Sequence, residues 1–177
     1  LLVTLLLVLS FVGMTFQLAT TKFAVLFTDY TWIAFKNTMY RYALVFGVFT
    51  GIAVLIFSKN LQELFNTQNH YMFMIFAVAI PLYFVMSVNR GRFQGGHDFG
   101  KLAGTYQTEM WSRLLLTFAL LLLVPLESGI LIAVGISLSF VFGLFPSDFK
   151  GVKVFSKDRL PAVDLKQVWI FIGLTAG

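Results

Sequence analysis

Long apolar runs, separated by short polar stretches, set the pattern of this chain. Five of them cover about 1–18, 39–57, 71–88, 110–124 and 129–145. A helix needs about 20 apolar residues to cross a bilayer core, with a range of roughly 17–25. Strands of a membrane barrel would alternate in polarity over about 10 residues, and Leu114–Val124 does not alternate. The pattern predicts an all-α polytopic membrane helix bundle of about five transmembrane helices, with a sixth beginning near Val168.

Composition supports this fold class. Hydrophobic residues make up 58% of the 177 residues and charged residues 12%, and the mean hydropathy is +0.84. Soluble domains carry roughly 45–50% apolar residues on a count that includes glycine, and about 25% charged ones. A soluble globule of this size could not bury so much apolar surface, whereas lipid can cover it. The absence of cysteine excludes disulfides, thiolate metal sites and cysteine nucleophiles.

The basic residues alternate from one predicted loop to the next. Counted by loop and its borders, one side of the membrane holds 3, 4 and 5 of them, and the other side holds Lys59 alone. The rich side belongs to the cytoplasm. The first helix is therefore expected to run inward, in a multi-pass protein of the cytoplasmic (inner) membrane. This placement explains the net charge of +5 without a nucleic-acid partner.

The chain divides into three predicted parts. Residues 1–145 form a transmembrane helical bundle, 146–166 form a polar cytoplasmic linker with two prolines, and 167–177 start a further transmembrane helix. The chain lacks an initiator methionine, and both of its ends fall within apolar runs. These features favour a fragment of a two-half transporter, with 1–145 as a partial N-terminal half.

The glycine-rich segment Asn89–Lys101 has the most unusual composition. In one interpretation, Arg90 and Gln94 line a cavity and bind an anionic group such as phosphate. In the other, the segment is a compact cytoplasmic turn whose arginines set the topology. It is not a P-loop, because Gly-x4-Gly-Lys-Ser/Thr is absent.

Four further polar residues border or interrupt the apolar runs. Glu109 and Arg113 have the favourable (i, i+4) helical spacing, so they form either a local ion pair or part of an inner cavity. Gln17 would be costly within lipid unless it bonds to another helix or lines a water-filled path. Arg41 begins the second run, where it either snorkels to the interface or joins the cavity.

Small residues and a proline predict close helix packing. Gly47 and Gly51 form a GxxxG step, and a similar stripe in the fifth run consists of Gly135, Ser139 and Gly143. Pro81 is expected to kink the third helix.

Patterns of catalysis and metal binding are missing from the sequence. It contains neither H-E-x-x-H nor G-x-S-x-G, and no carboxylate pair falls at mid-membrane depth. His70 and His97 have no partner at ligand spacing. We therefore expect no enzyme, no metal and no cofactor.

The stretch Ile80–Ala103, with the helix after it, resembles the polysaccharide flippase branch of the multidrug/oligosaccharidyl-lipid/polysaccharide (MOP) exporter superfamily. Members often carry a proline-bearing helix, then Arg-Gly-x-x-Gln-Gly, an aromatic residue, and a helix that opens with Glu and Arg. The matching positions here are Pro81, Arg90, Gly91, Gln94, Gly95, Phe99, Glu109 and Arg113. The segment Ile56–Phe65 is similar to a short external helix of that family.

The resemblance implies export or flipping of a lipid-linked oligosaccharide or polysaccharide precursor by alternating access. The partners would be the bilayer, that substrate and the other half of the transporter. Arg90 and Arg113, together with Arg41 and Lys22, would meet the pyrophosphate of the substrate in a basic inner cavity. Two alternatives stay open: a cation-coupled multidrug exporter, which would need a membrane-embedded carboxylate, and a helical scaffold subunit that transports nothing.

The predicted orientation can be tested by cysteine labelling, because the chain has no cysteine of its own. Asn60→Cys lies in the loop assigned to the outside and His97→Cys in a loop assigned to the inside. A membrane-impermeant maleimide should label the first variant in intact cells and the second only after lysis. The reverse pattern would contradict the orientation.

Overall fold

The protein is described by a computed structural model over residues 2–67, 69–145, 166–168, 170–171 and 173. This part of the chain is helical, without strands, which confirms the predicted all-α class. Its helices in chain order are α1 (Leu2–Leu26), α2 (Asp29–Ile56), α3 (Ser58–Leu64), α4 (Tyr71–Gly95), α5 (Phe99–Leu123) and α6 (Ser128–Leu144).

Three of these helices are long and apolar enough to cross a membrane: α1, Tyr30–Ile56 of α2, and α4. Helix α6 is apolar but shorter, at 17 residues. Helix α5 has 25 residues, with a polar first half and an apolar run from Leu114 to Leu123. Three helices are thus suited to cross a membrane by length and composition, and five crossings stay a prediction.

Helix α4 lies at the centre of the bundle. It packs against α1, α2 and α6, and 15 of its 25 residues are buried. Its apolar core positions include Phe73, Phe76 and Phe84, which are fully buried. Helix α5 packs mainly on α6. All of α5 is described, and its buried residues are Thr105 and Glu109, both polar.

Large apolar side chains cover much of the outer surface. A soluble protein rarely exposes so much apolar surface, whereas a helix bundle in lipid does so as a rule. On α1, α2 and α5 the most exposed of them, each more than half exposed, include Val3, Phe11, Phe49, Ile56, Met110, Leu114, Phe118, Leu122 and Leu123.

Glycines let α4 approach its neighbours closely. A Cβ on Gly91 would collide with the Gln17 carbonyl oxygen of α1, and one on Gly95 would lie 2.6 Å from the Thr21 carbonyl oxygen. On the α2 side, a Cβ on Gly47 would lie 2.6 Å from the Cα of Pro81. The predicted close packing of Gly47 is confirmed, and Gly91 and Gly95 are further positions at which α4 meets its neighbour closely.

Close helix packing is also found at Gly51, the second glycine of the GxxxG step, and along the small-residue stripe in α6. A Cβ on Gly51 would lie 2.7 Å from the Ala77 carbonyl oxygen. One on Gly143 would lie 3.2 Å from the Cβ of Glu109, and one on Gly135 would collide with Thr117. These contacts hold α2 against α4 and α5 against α6.

The prediction of a compact turn over Asn89–Lys101 is wrong for most of the segment. Helix α4 continues to Gly95, and the turn is Gly96–Asp98, in which His97 has a φ of 57°. Asp98 then caps α5 by accepting from the Lys101 backbone N–H. The Lys101 ammonium donates to the same carboxylate at 2.6 Å and holds the pKa of Asp98 below its usual value.

Two other helices also begin earlier than the apolar runs indicate. Helix α2 begins at Asp29 rather than near Met39, and α5 at Phe99 rather than near Met110. Hydropathy locates the part of a helix suited to lipid, whereas its backbone hydrogen bonds continue into polar surroundings. A helix of 25 residues is about 37 Å long, longer than a hydrocarbon core of about 30 Å.

Most of the predicted linker, residues 146–165, lies outside the described residues. Beyond it, the described positions from Lys166 to Gly173 are helical, in line with a sixth helix starting near Val168. Val168 is buried, and the Lys22 ammonium lies 4.0 Å from the centre of the Phe171 ring. The start of this helix therefore packs against the end of α1.

The close approach of α1 and α4 predicts a large difference between two glycine substitutions. Gly91→Ala should lower the thermal unfolding midpoint by several degrees, because its Cβ meets backbone of α1 that cannot move aside. Gly100→Ala is the matched control, since a Cβ there meets nothing within 4 Å and alanine favours helix. Equal midpoints for the two variants in detergent would contradict the packing described here.

Candidate functional site

A polar stripe runs along one face of α4, in a bundle whose buried side chains are mostly apolar. Its members are separated by three or four positions, which places them on one side of the helix. They are Tyr83, Ser87, Arg90 and Gln94. Polar side chains of α1 and α5 contact this stripe directly: Gln17, Thr21, Thr105, Tyr106 and Glu109. Arg113 of α5 joins them through Glu109, and Ser139 of α6 joins them through Arg113. We call these residues the polar cluster.

Arg90 is buried at the centre of the cluster, with 5% of its surface exposed. Its Nη2 donates to Glu109 Oε2 at 2.6 Å and to the Thr105 carbonyl oxygen at 3.3 Å. Its Nε donates to the Thr105 hydroxyl at 3.2 Å. The Tyr106 ring covers the guanidinium, whose carbon lies 3.8 Å from the ring centre. Arg90 is thus held by α5 on several sides.

Glu109 bridges two arginines. Its side chain is 8% exposed, and its second oxygen, Oε1, accepts from Arg113 Nη2. Two guanidinium groups therefore share one carboxylate, which leaves one positive charge uncompensated within the cluster. The sequence places Glu109 near the inner membrane surface, whereas the structure buries it in the bundle, beside Gly143 of α6.

Arg113 is the more accessible of the two arginines. Its side chain is 30% exposed, against 6% for Arg90. Besides Glu109, its Nε donates to the Ser139 hydroxyl oxygen at the long distance of 3.4 Å, and its guanidinium carbon lies 5.9 Å from the centre of the Phe140 ring. The predicted (i, i+4) pair of Glu109 and Arg113 is therefore present, and it is half of a larger arrangement that includes Arg90.

Gln17 finds its partner on α4. Its Nε2 donates to Gln94 Oε1 at 3.0 Å, and the Tyr106 hydroxyl lies 3.4 Å from its Oε1. Thr21 also donates to Gln94 Oε1, at 3.3 Å. Of the two interpretations of Gln17, the structure shows the bond to another helix. This bond also places Gln17 and Gln94 beside Tyr106 and hence beside Arg90.

Arg41 and Lys22 lie apart from the polar cluster. Arg41 is exposed on α2, on the same face as the apolar residues Val45, Val48 and Ile52, and its guanidinium carbon is 5.8 Å from the Tyr42 ring centre. Lys22 contacts Phe171. Of the predicted substrate-binding residues, the structure thus brings together Arg90, Glu109 and Arg113 with Gln17 and Gln94, and leaves Arg41 outside.

Sequence reasoning missed several members of the cluster, most of all Tyr83, Thr105 and Tyr106. A signal for two of them was present, because Thr105 precedes Glu109 by four positions and Tyr106 precedes Arg113 by seven. Both spacings place side chains on one helix face. Ser139 was interpreted as a packing residue of α6, and the structure adds a contact with Arg113.

The cluster has the chemistry of an anion site. Arg113, whose side chain is partly exposed, carries a fixed fork of donors that matches phosphate or carboxylate oxygens. Such charge-assisted bonds are roughly twice as strong as neutral ones. The surroundings have a low dielectric constant, so the charge left uncompensated acts more strongly than in water. Among the described residues, no three His, Cys, Asp or Glu side chains meet as a metal site.

Comparison of the chain with family models, curated proteins and solved structures finds no match. The resemblance of Ile80–Ala103 to the flippase branch thus stays a prediction. The function has to be inferred from the polar cluster and from the membrane character of the helices.

The shared carboxylate predicts a large loss of stability when it is removed. Glu109→Ala leaves Arg90 buried without its counter-charge, and breaking a buried pair in this way typically costs about 3–5 kcal/mol. Glu63→Ala, an exposed carboxylate on α3, is the matched control and should change stability by less than about 0.5 kcal/mol. Denaturant unfolding in detergent measures both.

The double variant Arg90→Met/Glu109→Met sharpens this test. Replacing both members of a buried pair by apolar residues often leaves the folding stability unchanged. The double variant should therefore be more stable than Glu109→Ala. A double variant that is less stable than Glu109→Ala would contradict the assignment of this pair.

Proposed function

We propose that the protein is the N-terminal part of a membrane transporter that flips or exports a lipid-linked oligosaccharide or polysaccharide precursor across the cytoplasmic membrane by alternating access. The observation that carries this proposal is the polar cluster, in which two arginines share Glu109. Ionisable residues within membrane helices are costly and usually mark a substrate or ion pathway. The excess positive charge favours an anionic substrate.

A lipid diphosphate fits this site in two respects. Its phosphates supply the negative charge that the cluster lacks, and its oxygens match the donor geometry of a guanidinium. Its lipid tail can stay in the bilayer beside the exposed apolar faces of α1 and α5. Tyr83 and Tyr106 add aromatic rings with hydroxyl groups at the edge of the cluster, which suit contact with a sugar.

The packing of the helices also supports a moving transporter. Small residues hold α1, α2 and α4 together at close distance. Helix α5 has two buried residues, both polar, and both bind Arg90. Helix α5 therefore contacts α4 through polar groups, a different kind of contact from the close backbone packing of α1 and α2 on α4.

A second candidate is a helical scaffold subunit without transport. The observation that favours it is that both arginines already have a partner in Glu109. A cation-coupled multidrug exporter is the third candidate, since Glu109 is a buried carboxylate. The multidrug exporter is a weaker candidate than the scaffold, because Arg90 and Arg113 compete with a cation for the Glu109 oxygens.

The proposal is tested by glycan export in cells that depend on the full-length protein. Arg90→Gln/Arg113→Gln should abolish export, because the site loses its positive charge, while the protein still inserts in the membrane. Lys59→Gln is the matched control, since it removes a positive charge from the exposed surface of α3. It should export normally.

The outcomes separate the candidates. Normal export by the double variant, at normal membrane levels, would overturn the assignment of the site and favour the scaffold. Drug resistance that depends on the gene and on Glu109, without any glycan defect, would favour the multidrug exporter.

A further inference from the structure

Arg90 and Arg113 are held in very different ways. Arg90 makes three hydrogen bonds through Nε and Nη2, to Glu109 and to both the hydroxyl and the carbonyl of Thr105, and the Tyr106 ring lies over its guanidinium. With 6% of its side chain exposed, it has no open side from which a ligand could approach. To bind a substrate directly, Arg90 would have to leave all of these contacts.

Arg113 makes fewer bonds than Arg90, and its side chain is more exposed. Its side chain is 30% exposed, and its bonds are to one oxygen of Glu109 and, at 3.4 Å, to Ser139. An anion that replaces Glu109 as its partner leaves the carboxylate with Arg90. The Arg90–Glu109 pair is then neutral on its own, and the one remaining positive charge is that of Arg113.

We propose that Arg113 is the residue that contacts the anionic group of the substrate, that Glu109 is a placeholder which the anion displaces, and that Arg90 is a positioning residue. This inference rests on the proposed function. Arg90 keeps Glu109 and α5 in place, and the Tyr106 ring covers the Arg90 guanidinium. Ser139 lies beside Arg113 but is fully buried, and its hydroxyl donates to the Ile136 carbonyl oxygen, so the anion is expected to contact Arg113 alone of these two residues.

The placeholder role has a consequence that a structural role would not have. If Glu109 competes with the substrate for Arg113, its neutralisation should strengthen anion binding. If Glu109 merely holds the helices together, the same change should weaken binding or leave it unaltered. Glu109→Gln keeps the shape of the side chain and can still accept from Arg90, which makes it the appropriate variant.

The experiment measures binding of farnesyl diphosphate to the full-length protein in lipid nanodiscs, together with the thermal midpoint of each variant. Arg113→Gln should bind at least about tenfold more weakly, as expected for the loss of a charge-assisted hydrogen bond, with little change in midpoint. Arg113→Lys should recover part of the affinity, because it restores the charge without the fork. Glu109→Gln should bind several-fold more tightly.

Arg90→Gln should lower the thermal midpoint more, and the affinity less, than Arg113→Gln does. Its midpoint should fall by roughly 6 °C or more, since Glu109 loses its buried partner. Its affinity, measured well below that midpoint, should fall by less than that of Arg113→Gln. Lys59→Gln and Glu63→Gln make the same two charge changes on the exposed surface of α3 and serve as controls for long-range effects.

Each result decides one question. Failure of the folded wild-type protein to bind farnesyl diphosphate, with binding of neither inorganic pyrophosphate nor a longer isoprenyl diphosphate, would overturn the proposed function and this inference together. Binding by the wild-type protein that Arg90→Gln abolishes and Arg113→Gln retains would overturn the division of roles alone. Weaker binding by Glu109→Gln, measured well below the thermal midpoint of that variant, would exclude the placeholder.

Discussion

The buried ion pair between Arg90 and Glu109 is the constraint on which the arrangement of α4, α5 and α6 depends. Two charges withdrawn from water are tolerated only when each is matched by the other and by further hydrogen bonds. Thr105 supplies those bonds to Arg90, and Arg113 takes the second oxygen of Glu109. Because the buried residues of α5 are Thr105 and Glu109, this pair fixes how α5 faces the centre of the bundle.

The rest of the bundle is organised to bring this pair together. Glycines at 91 and 95 let α1 lie directly on α4, which puts Gln17 and Thr21 within reach of Gln94. Gly143 lets α6 lie on α5 beside Glu109, and Ser139 on the same helix reaches Arg113. A polar network thus crosses four helices. It leaves one positive charge uncompensated, and that charge is the basis of the proposed role in binding an anion.

The apolar runs predict the helices suited to lipid well, because burial in hydrocarbon requires such runs. Helix α4 begins at Tyr71 as expected, and α6 within one residue of the expected start. The apolar runs do not reveal the polar first turns of α2 and α5, because the part of a helix that lies outside lipid need not be apolar. The contact of Glu109 with Arg113 follows from spacing on one helix. Its contact with Arg90, 19 positions away, depends on how α4 and α5 pack, which no periodicity within one helix encodes.

The central claim is that an anion takes the place of Glu109 at Arg113. An experimental structure of the full-length protein in lipid nanodiscs with a bound isoprenyl diphosphate tests it most directly. We expect phosphate oxygens within hydrogen-bond distance of the Arg113 guanidinium, while Glu109 stays with Arg90. A diphosphate bound away from Arg113, with the Glu109–Arg113 bond intact, would contradict the account.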